Sequence, residues 1–332
     1  MQFYPLLFEE NLFTRVWGGH RIRPLKGLPA DDEKIGESWE ISAVPGKESI
    51  VSNGPLAGQT LAQLVEKYPG EMLGSAVAER FGGHFPLLFK ILDSEDNLSI
   101  QVHPNDQLAM QRHNSLGKTE IWYVIDAKPG AFLYCGFALP TTPQAYERHV
   151  ANGTITEILK KHYVNKGDVF FIPAGRVHAI GAGLLLAEIQ ESSDITYRIY
   201  DYDRPGLDGK PRQLHTAEAR DAIDYTFYPE YRTNYEELTN KPALVAQCPY
   251  FTIKIHNVNR PFHRKLYKYQ SFVAYVCIDG NCFIESATDE VQSVHLRKGH
   301  TCLVPAAAAD INIVPDNLKR RTKILEIYIE SE

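Results

Sequence analysis

Residues 98–122 read LSIQVHPNDQLAMQRHNSLGKTEIW, and residues 167–178 read GDVFFIPAGRVH. From Leu98 to His103 apolar and polar side chains alternate. The strand period of two places Ser99, Gln101 and His103 on one face, with Leu98, Ile100 and Val102 on the other. Lys118, Glu120 and Trp122 share a face in the same way, opposite Thr119 and Ile121. Two strands with polar faces turned inward would bring an imidazole beside a carboxylate. His178 is the candidate for a second imidazole to complete a metal site. Gly167-Asp168 turns the chain, Val169 to Ile172 is an apolar strand, and Pro173 and Gly175 bend it back. Such a hairpin aims His178 into the mouth of a β-barrel.

The bulk properties narrow the function classes. A chain of 332 residues is long enough for two domains. Charged residues make up 23%, hydrophobic ones 44%, and the net charge is -6, which gives no reason to expect nucleic acid or a membrane surface as partner. The N-terminus, MQFYPLLFEENLF, has Glu9-Glu10 where a signal peptide would be apolar, and a cytoplasmic location is expected. Five scattered cysteines, Cys135, Cys248, Cys277, Cys282 and Cys302, argue against both a disulfide framework and a thiolate zinc site. Nothing in the sequence fixes an oligomeric state.

Along the rest of the chain, residues 1–58 read as short extended pieces, with Trp17 and Trp39 as core anchors. TLAQLVEKYPGEMLGSAVAERFGG reads as two short helices with Thr60 as N-cap and a break at Pro69-Gly70. Lys90, inside the apolar run LLFKIL, is either a snorkelling edge residue or a charge turned into the site. PTTPQAYERHVANGTITEILKKHY predicts a helix opened by Thr142 and Pro143, then a second opened by a Thr154-x-x-Glu157 capping box. After His178 the alternation resumes, with Glu188 and Gln190 on one face and Thr196, Arg198 and Tyr200 on another.

From Gly167 the spacing is Gly, five residues, Pro, one residue, Gly, two residues, His, which resembles the second motif of the cupin superfamily except for its final Asn. A cupin first motif usually holds His-x-His followed closely by Glu; here sixteen residues separate His103 from Glu120. That interval, with QVHPND, GKTEIWYVID, PAGRVHAIGAG and SDITYRIYDYDR, resembles the type I mannose-6-phosphate isomerases, in particular the short bacterial form. The likeness runs from VWGG to about Arg204 and is weak beyond.

The resemblance implies an all-β protein of two cupin-type jelly-roll domains with helical insertions in the N-terminal half. Residues 1–240 would form the catalytic metal-binding domain and 241–332 a degenerate C-terminal jelly roll. A weak repeat supports the second: YVCIDGNCFIE from Tyr275 echoes YVIDAKPGAFLY from Tyr123, and GHTCLVPAAAAD from Gly299 keeps Gly299 and Pro305 but has Ala307 and Asp310 where the first copy has Gly175 and His178. By resemblance the ligands of one zinc ion per chain are Gln101, His103, Glu120 and His178. The substrates implied are mannose 6-phosphate and fructose 6-phosphate, interconverted through a cis-enediol. Arg198 and Lys118 match the family's essential arginine and active-site lysine, and are expected in catalysis and substrate binding. Burial would lower the pKa of Lys118 toward proton exchange. Glu188 matches an acidic position and is an alternative base, and Ser99 shares the ligand face and is placed against the substrate.

Two other classes fit parts of the pattern. An Fe(II) cupin that activates dioxygen would use the same donors, and the residues themselves do not rank the metal. A sugar-binding cupin without turnover would be marked by a lost ligand, and none is lost in the first motif pair. The basic positions Lys118 and Arg198 favour a phosphorylated polar substrate over a flat aromatic one.

Overall fold

Of the alternating runs 98–103 and 118–122, residues 100–102 and 120–122 are β-strand in a computed structural model that describes residues 2–287 and 293–330. Contacts divide the chain into two compact units. One consists of Leu12–Ser38 and Phe89–Thr233; the other gathers the residues through Asn11, Trp39–Leu88, and those from Asn234 onward. This division differs from a linear cut at 240, because hydrogen bonds distant in sequence tie early residues to late ones. Leu6 and Leu303 exchange backbone bonds of 2.8 and 3.0 Å, Phe272 N donates to Leu73 O at 3.2 Å, and Ala306 N to Met72 O at 3.1 Å.

The first unit is built on β1 (Leu12–Gly19), β2 (Ile35–Ile41), β3 (Leu87–Ser94), β4 (Ile100–Val102), β5 (Glu120–Ala127), β6 (Phe132–Phe137), β7 (Leu159–Tyr163), β8 (Val169–Ile172), β9 (His178–Ile180), β10 (Leu184–Glu191) and β11 (Tyr197–Tyr200). They form a six-stranded sheet, β1-β2-β3-β10-β5-β8, and a five-stranded sheet, β11-β4-β9-β6-β7. Their shared core joins Trp122, Phe170, Ile172 and Leu186 of the first to Leu133, Cys135 and Ile180 of the second. Sheets packed in this way present inward side chains at alternate positions, which is why β4 and β5 alternate in sequence.

Seven short helices complete the chain among the described residues: α1 (Ile22–Leu25), α2 (Leu61–Lys67), α3 (Pro69–Leu73), α4 (Ser75–Arg80), α5 (Asp106–His113), α6 (Pro143–Ala151) and α7 (Thr216–Ala222). Tyr146 of α6 and Ala219 of α7 pack against Ile100, Val102, Ala179 and Ile199, so the outer side of the five-stranded sheet is apolar too. None of the helices is long and apolar enough to cross a membrane.

Several local expectations change. The stretch from Thr60 holds three helices, not two: Thr60 and Gln63 form a capping box, and Pro69 opens a helix at its first turn instead of breaking one. A proline there has no amide to lose, so it suits a helix start. Thr142 caps α6 as expected, accepting from Ala145 N at 3.2 Å. Thr154 opens no α-helix; a 3₁₀ turn, Ile155–Glu157, leads into β7. The Thr154 hydroxyl makes no cap and instead lies 2.8 Å from His149 Nδ1. Trp17 and Trp39 are core residues, and all five cysteines are free thiols.

The second unit holds β12 (Pro242–Gln247), β13 (Thr252–Val258), β14 (Phe262–Arg264), β15 (Val273–Asp279), β16 (Cys282–Ser286), β17 (Val294–Leu296), β18 (Thr301–Val304), β19 (Ile311–Pro315) and β20 (Thr322–Tyr328). Sheets β12-β13-β20-β15-β18 and β14-β19-β16-β17 enclose Tyr275, Cys302, Ile284 and Ile313. Asp310, at the position corresponding to His178, accepts a hydrogen bond from Leu266 N at 2.9 Å and lies 3.4 Å from His263.

Candidate metal centre

Backbone pairing brings the segments that carry the candidate ligands together. Gln101 of β4 is directly opposite His178 of β9, and Arg198 of β11 is opposite Gln101 on its other side. Directly paired residues in adjacent strands point the same way. Glu120 comes from the facing sheet, on β5, between Gln190 of β10 and Ile172 of β8. His103, one residue past β4, completes the set. Among the described residues, His103, Glu120 and His178 form a buried group whose potential ligand atoms all lie within 4.8 Å of one another.

The Pro173-Ala174-Gly175 turn fastens these segments. Gly175 N donates to His103 O at 2.9 Å, and Ala174 N donates to Thr119 Oγ1 at 3.3 Å. Gly175 has φ +89°, and a Cβ there would meet Ala222 O at 3.0 Å, so the turn demands glycine.

Both imidazoles are oriented by their far nitrogens. His103 Nδ1 lies 2.9 Å from Ile195 O and His178 Nδ1 2.8 Å from Arg176 O. A carbonyl accepts only, so each Nδ1 carries the proton and each Nε2 turns a lone pair toward Glu120. His178 Nε2 is 3.4 Å from Glu120 Oε1 and His103 Nε2 is 3.6 Å from Oε2. Donors about 2.0–2.2 Å from one tetrahedral ion stand roughly 3.3 Å apart, so the spacing fits a single cation. Burial lowers His103 far below the ordinary imidazole range, with Lys118 adding to it, and lowers His178 to about 4. Both rings are therefore neutral at pH 7, the form that binds metal.

Glu120 is fully buried, and neither of its oxygens accepts a well-directed hydrogen bond. Burial raises its pKa to about 7 against the pull of Lys118, whose Nζ is 3.0 Å from Oε2. Lys118 offsets part of that burial cost, and a metal cation between the two imidazoles would offset more. Gln101 stands beside the set, its Nε2 3.2 Å from His178 Nε2 and its Oε1 3.3 Å from Ser99 Oγ. Exchanging the amide oxygen and nitrogen would turn an oxygen donor toward His178, and the two orientations are chemically equivalent in shape.

Lys118 reaches this group: its Nζ also lies 3.2 Å from His103 Nε2. The expectation that burial would lower its pKa is corrected. Burial does push it down, but the Glu120 and Glu188 carboxylates outweigh that and raise it. Glu188 is buried with both oxygens engaged: Lys90 Nζ lies 3.1 Å from Oε1, and Trp122 Nε1 donates to Oε2 at 2.9 Å. Its pKa is lowered, because Lys90 and Lys118 outweigh the burial that would raise it. Lys90 is thus turned inward, and it also donates to Gln190 Oε1 at 2.9 Å.

Arg198 donates from Nη1 to Gln213 O at 2.8 Å, while its buried Nε finds no acceptor. Burial, with Arg212 and Arg204 nearby, lowers its pKa, yet a guanidinium remains charged. Sequence reasoning placed Trp122 on the face of Lys118 and Glu120 but not its bond to Glu188, and it missed the Ala174 and Gly175 amides as partners of the site, for which the PAG turn was the signal.

Two facing sheets that enclose an imidazole, a carboxylate and a second imidazole define a cupin-type jelly roll with a candidate metal centre. Residues 9–127 match the family model of the phosphomannose isomerase type I catalytic domain, and residues 240–316 match the mannose-6-phosphate isomerase cupin domain. Mannose-6-phosphate isomerase ManA of Bacillus subtilis is 37% identical over 258 residues, 77% of this chain and 80% of the relative. The crystal structure of a Bacillus subtilis mannose 6-phosphate isomerase superposes with a TM-score of 0.85 at 31% identity, covering 98% of this chain and 99% of that one. A zinc-bound mannose 6-phosphate isomerase has the same fold, with a TM-score of 0.78 at 18% identity over 98% of this chain and 99% of its own. The chain belongs to the mannose-6-phosphate isomerase family of enzymes.

Proposed function

We propose that this chain interconverts mannose 6-phosphate and fructose 6-phosphate with one zinc ion held by Gln101, His103, Glu120 and His178. The observation that carries the reading is the buried Glu120 carboxylate, set between two neutral imidazoles whose Nε2 atoms lie 3.4 and 3.6 Å from its oxygens. Imidazole, carboxylate and amide donors without thiolate suit zinc, the ion present in one solved structure of the same fold. When bound, the ion would supply Lewis-acid polarisation of sugar oxygens.

The chain's own residues carry the remaining tasks. A proton must leave C2 of the aldose and return at C1, by way of a cis-enediol, so a proton carrier and a counter-charge must flank the sugar. Lys118 is the proton carrier in this reading. Its ammonium sits among the donors, and a cation on Glu120 would cancel the field that now keeps it protonated. Arg198, beside Gln101 on the ligand face, provides permanent positive charge for the phosphate or an oxyanion. Ser99 contacts the sugar from the same strand run. Glu188 is the second candidate for a base, but its oxygens are committed to Lys90 and Trp122, which favours Lys118.

The test is isomerisation of mannose 6-phosphate by purified protein before chelation, after chelation and with zinc restored, with metal measured on the same samples. Activity lost on chelation and regained with zinc supports the reading. Metal bound without turnover moves the weight to an oxygenase or a binding module.

A further inference from the structure

Three successive amides that lead into Glu120 are each fastened by a different partner. Gly117 N donates to Asp106 Oδ1 at 2.8 Å, Lys118 N to Pro104 O at 3.2 Å, and Thr119 N to Glu191 Oε1 at 2.6 Å. Glu191 N in turn donates to Thr119 O at 3.0 Å. Two carboxyl groups thus grip the backbone on either side of Lys118, one from the first turn of α5 and one from the last residue of β10. The grip is close: a Cβ on Gly117 would meet Asp106 N at 2.6 Å.

Glu191 is buried, and its Oε1 is held by the Thr119 amide. Burial, with the charge of Asp106 adding to it, raises the Glu191 pKa to about 8.

We infer that Asp106 and Glu191 form a two-sided latch on the 117–119 backbone that positions Lys118 and Glu120 for the isomerase reaction, with Glu191 a positioning residue that never touches substrate. This rests on the isomerase reading above. The latch fixes the peptides on both sides of Lys118, and a misplacement of about 1 Å in a catalytic group can cost on the order of 10²-fold in rate.

Glutamine at 191 keeps the grip on Thr119, because its carbonyl oxygen can accept from Thr119 N as the carboxylate does. Alanine removes it. The experiment compares wild type, Glu191→Gln, Glu191→Ala and Asp106→Ala at saturating zinc, reading kcat and KM together with amide hydrogen exchange of the 114–120 segment and metal content. Glu191→Ala is expected to lose about 10–100-fold in kcat and to exchange faster at 117–119, while Glu191→Gln stays within about threefold of wild type. Asp106→Ala, which leaves the Glu191 to Thr119 bond, should fall between them and serves if Glu191→Ala does not fold. Equal kcat and exchange in the glutamine and alanine variants, whether both normal or both impaired, overturns the latch. If wild type shows no isomerase activity, the functional reading fails; the latch is then judged on exchange and metal retention alone, where glutamine and alanine behaving alike again overturns it.

Discussion

Arg198 and Gln101 are direct cross-strand neighbours, and Gln101 is in turn the direct neighbour of His178. A guanidinium, an amide and an imidazole therefore form one row across three strands. The row separates two jobs. His178 offers a lone pair toward Glu120, whereas Arg198 sits two strands away and donates from Nη1 to Gln213 O.

His178→Ala should therefore lose metal and activity together. Arg198→Ala should keep metal and lose on the order of 10²-fold in kcat, the usual cost of removing a charge that stabilises a transition state. Metal analysis and steady-state rates on the same preparations check this. Equal metal loss in both variants would contradict the division of roles.

Metal uptake should depend on pH through Glu120. Its pKa of about 7 means that the cation must displace a proton below neutrality, whereas His178, at about 4, and His103 are already unprotonated there. Affinity should rise as pH increases from 6 to 8, with about one proton released per metal bound at the lower end. Calorimetric titration in buffers of different ionisation enthalpy measures that proton. A pH-independent affinity over this range would remove Glu120 from the ligand set.

Lys90 and Glu188 form a buried ion pair at 3.1 Å, and its loss should be felt in stability. Lys90→Met leaves a buried carboxylate that keeps the Trp122 Nε1 bond but loses its ammonium partner. Breaking a buried pair from one side costs about 3–5 kcal/mol, so the denaturant midpoint should fall markedly. A Lys90→Met, Glu188→Gln double variant should recover part of the loss, since the uncompensated charge is gone. A double variant less stable than Lys90→Met would show that the carboxylate is not the cause.

What the sequence made legible follows from periodicity. Gln101 and His103, and Lys118 with Glu120, could be placed on faces because strand geometry repeats every two residues. Helix α5 carried no such signal: only Ala109 of its residues is buried, so there is no apolar stripe to read. Thr154 satisfied a capping pattern, yet its hydroxyl is engaged by His149, and a pattern of residue types cannot reveal a competing partner. The grouping of residues 39–88 with those after 234 depends on bonds such as Ala306 N to Met72 O, which leave no local trace. The charge state of Lys118 failed for the same reason. Burial alone predicts a lowered pKa, and only the fold shows two carboxylates around it.

The C-terminal unit has its own buried charge, and it sets a limit on acid stability. Glu326 is fully buried on β20; Arg264 Nη2 donates to Oε1 at 2.5 Å, Tyr269 to Oε1 at 3.0 Å and Tyr275 to Oε2 at 3.2 Å, with His256 Nε2 3.2 Å from Oε2. Burial would raise its pKa, but His256 and Arg264 outweigh this and hold it below the ordinary value of 4.5. A group whose folded pKa is depressed binds fewer protons folded than unfolded. Its stabilisation is therefore complete above about 4.5 and is lost as pH falls through the folded value. Glu326→Gln keeps the shape but removes the charge, so it should be less stable than wild type at pH 7. As the pH drops below 4.5 that difference should shrink, because wild type then loses what the variant never had. Urea midpoints for both proteins between pH 3.5 and 7 measure the gap. A gap that stays constant would mean that the stabilisation comes from packing around the side chain and not from its ionised form.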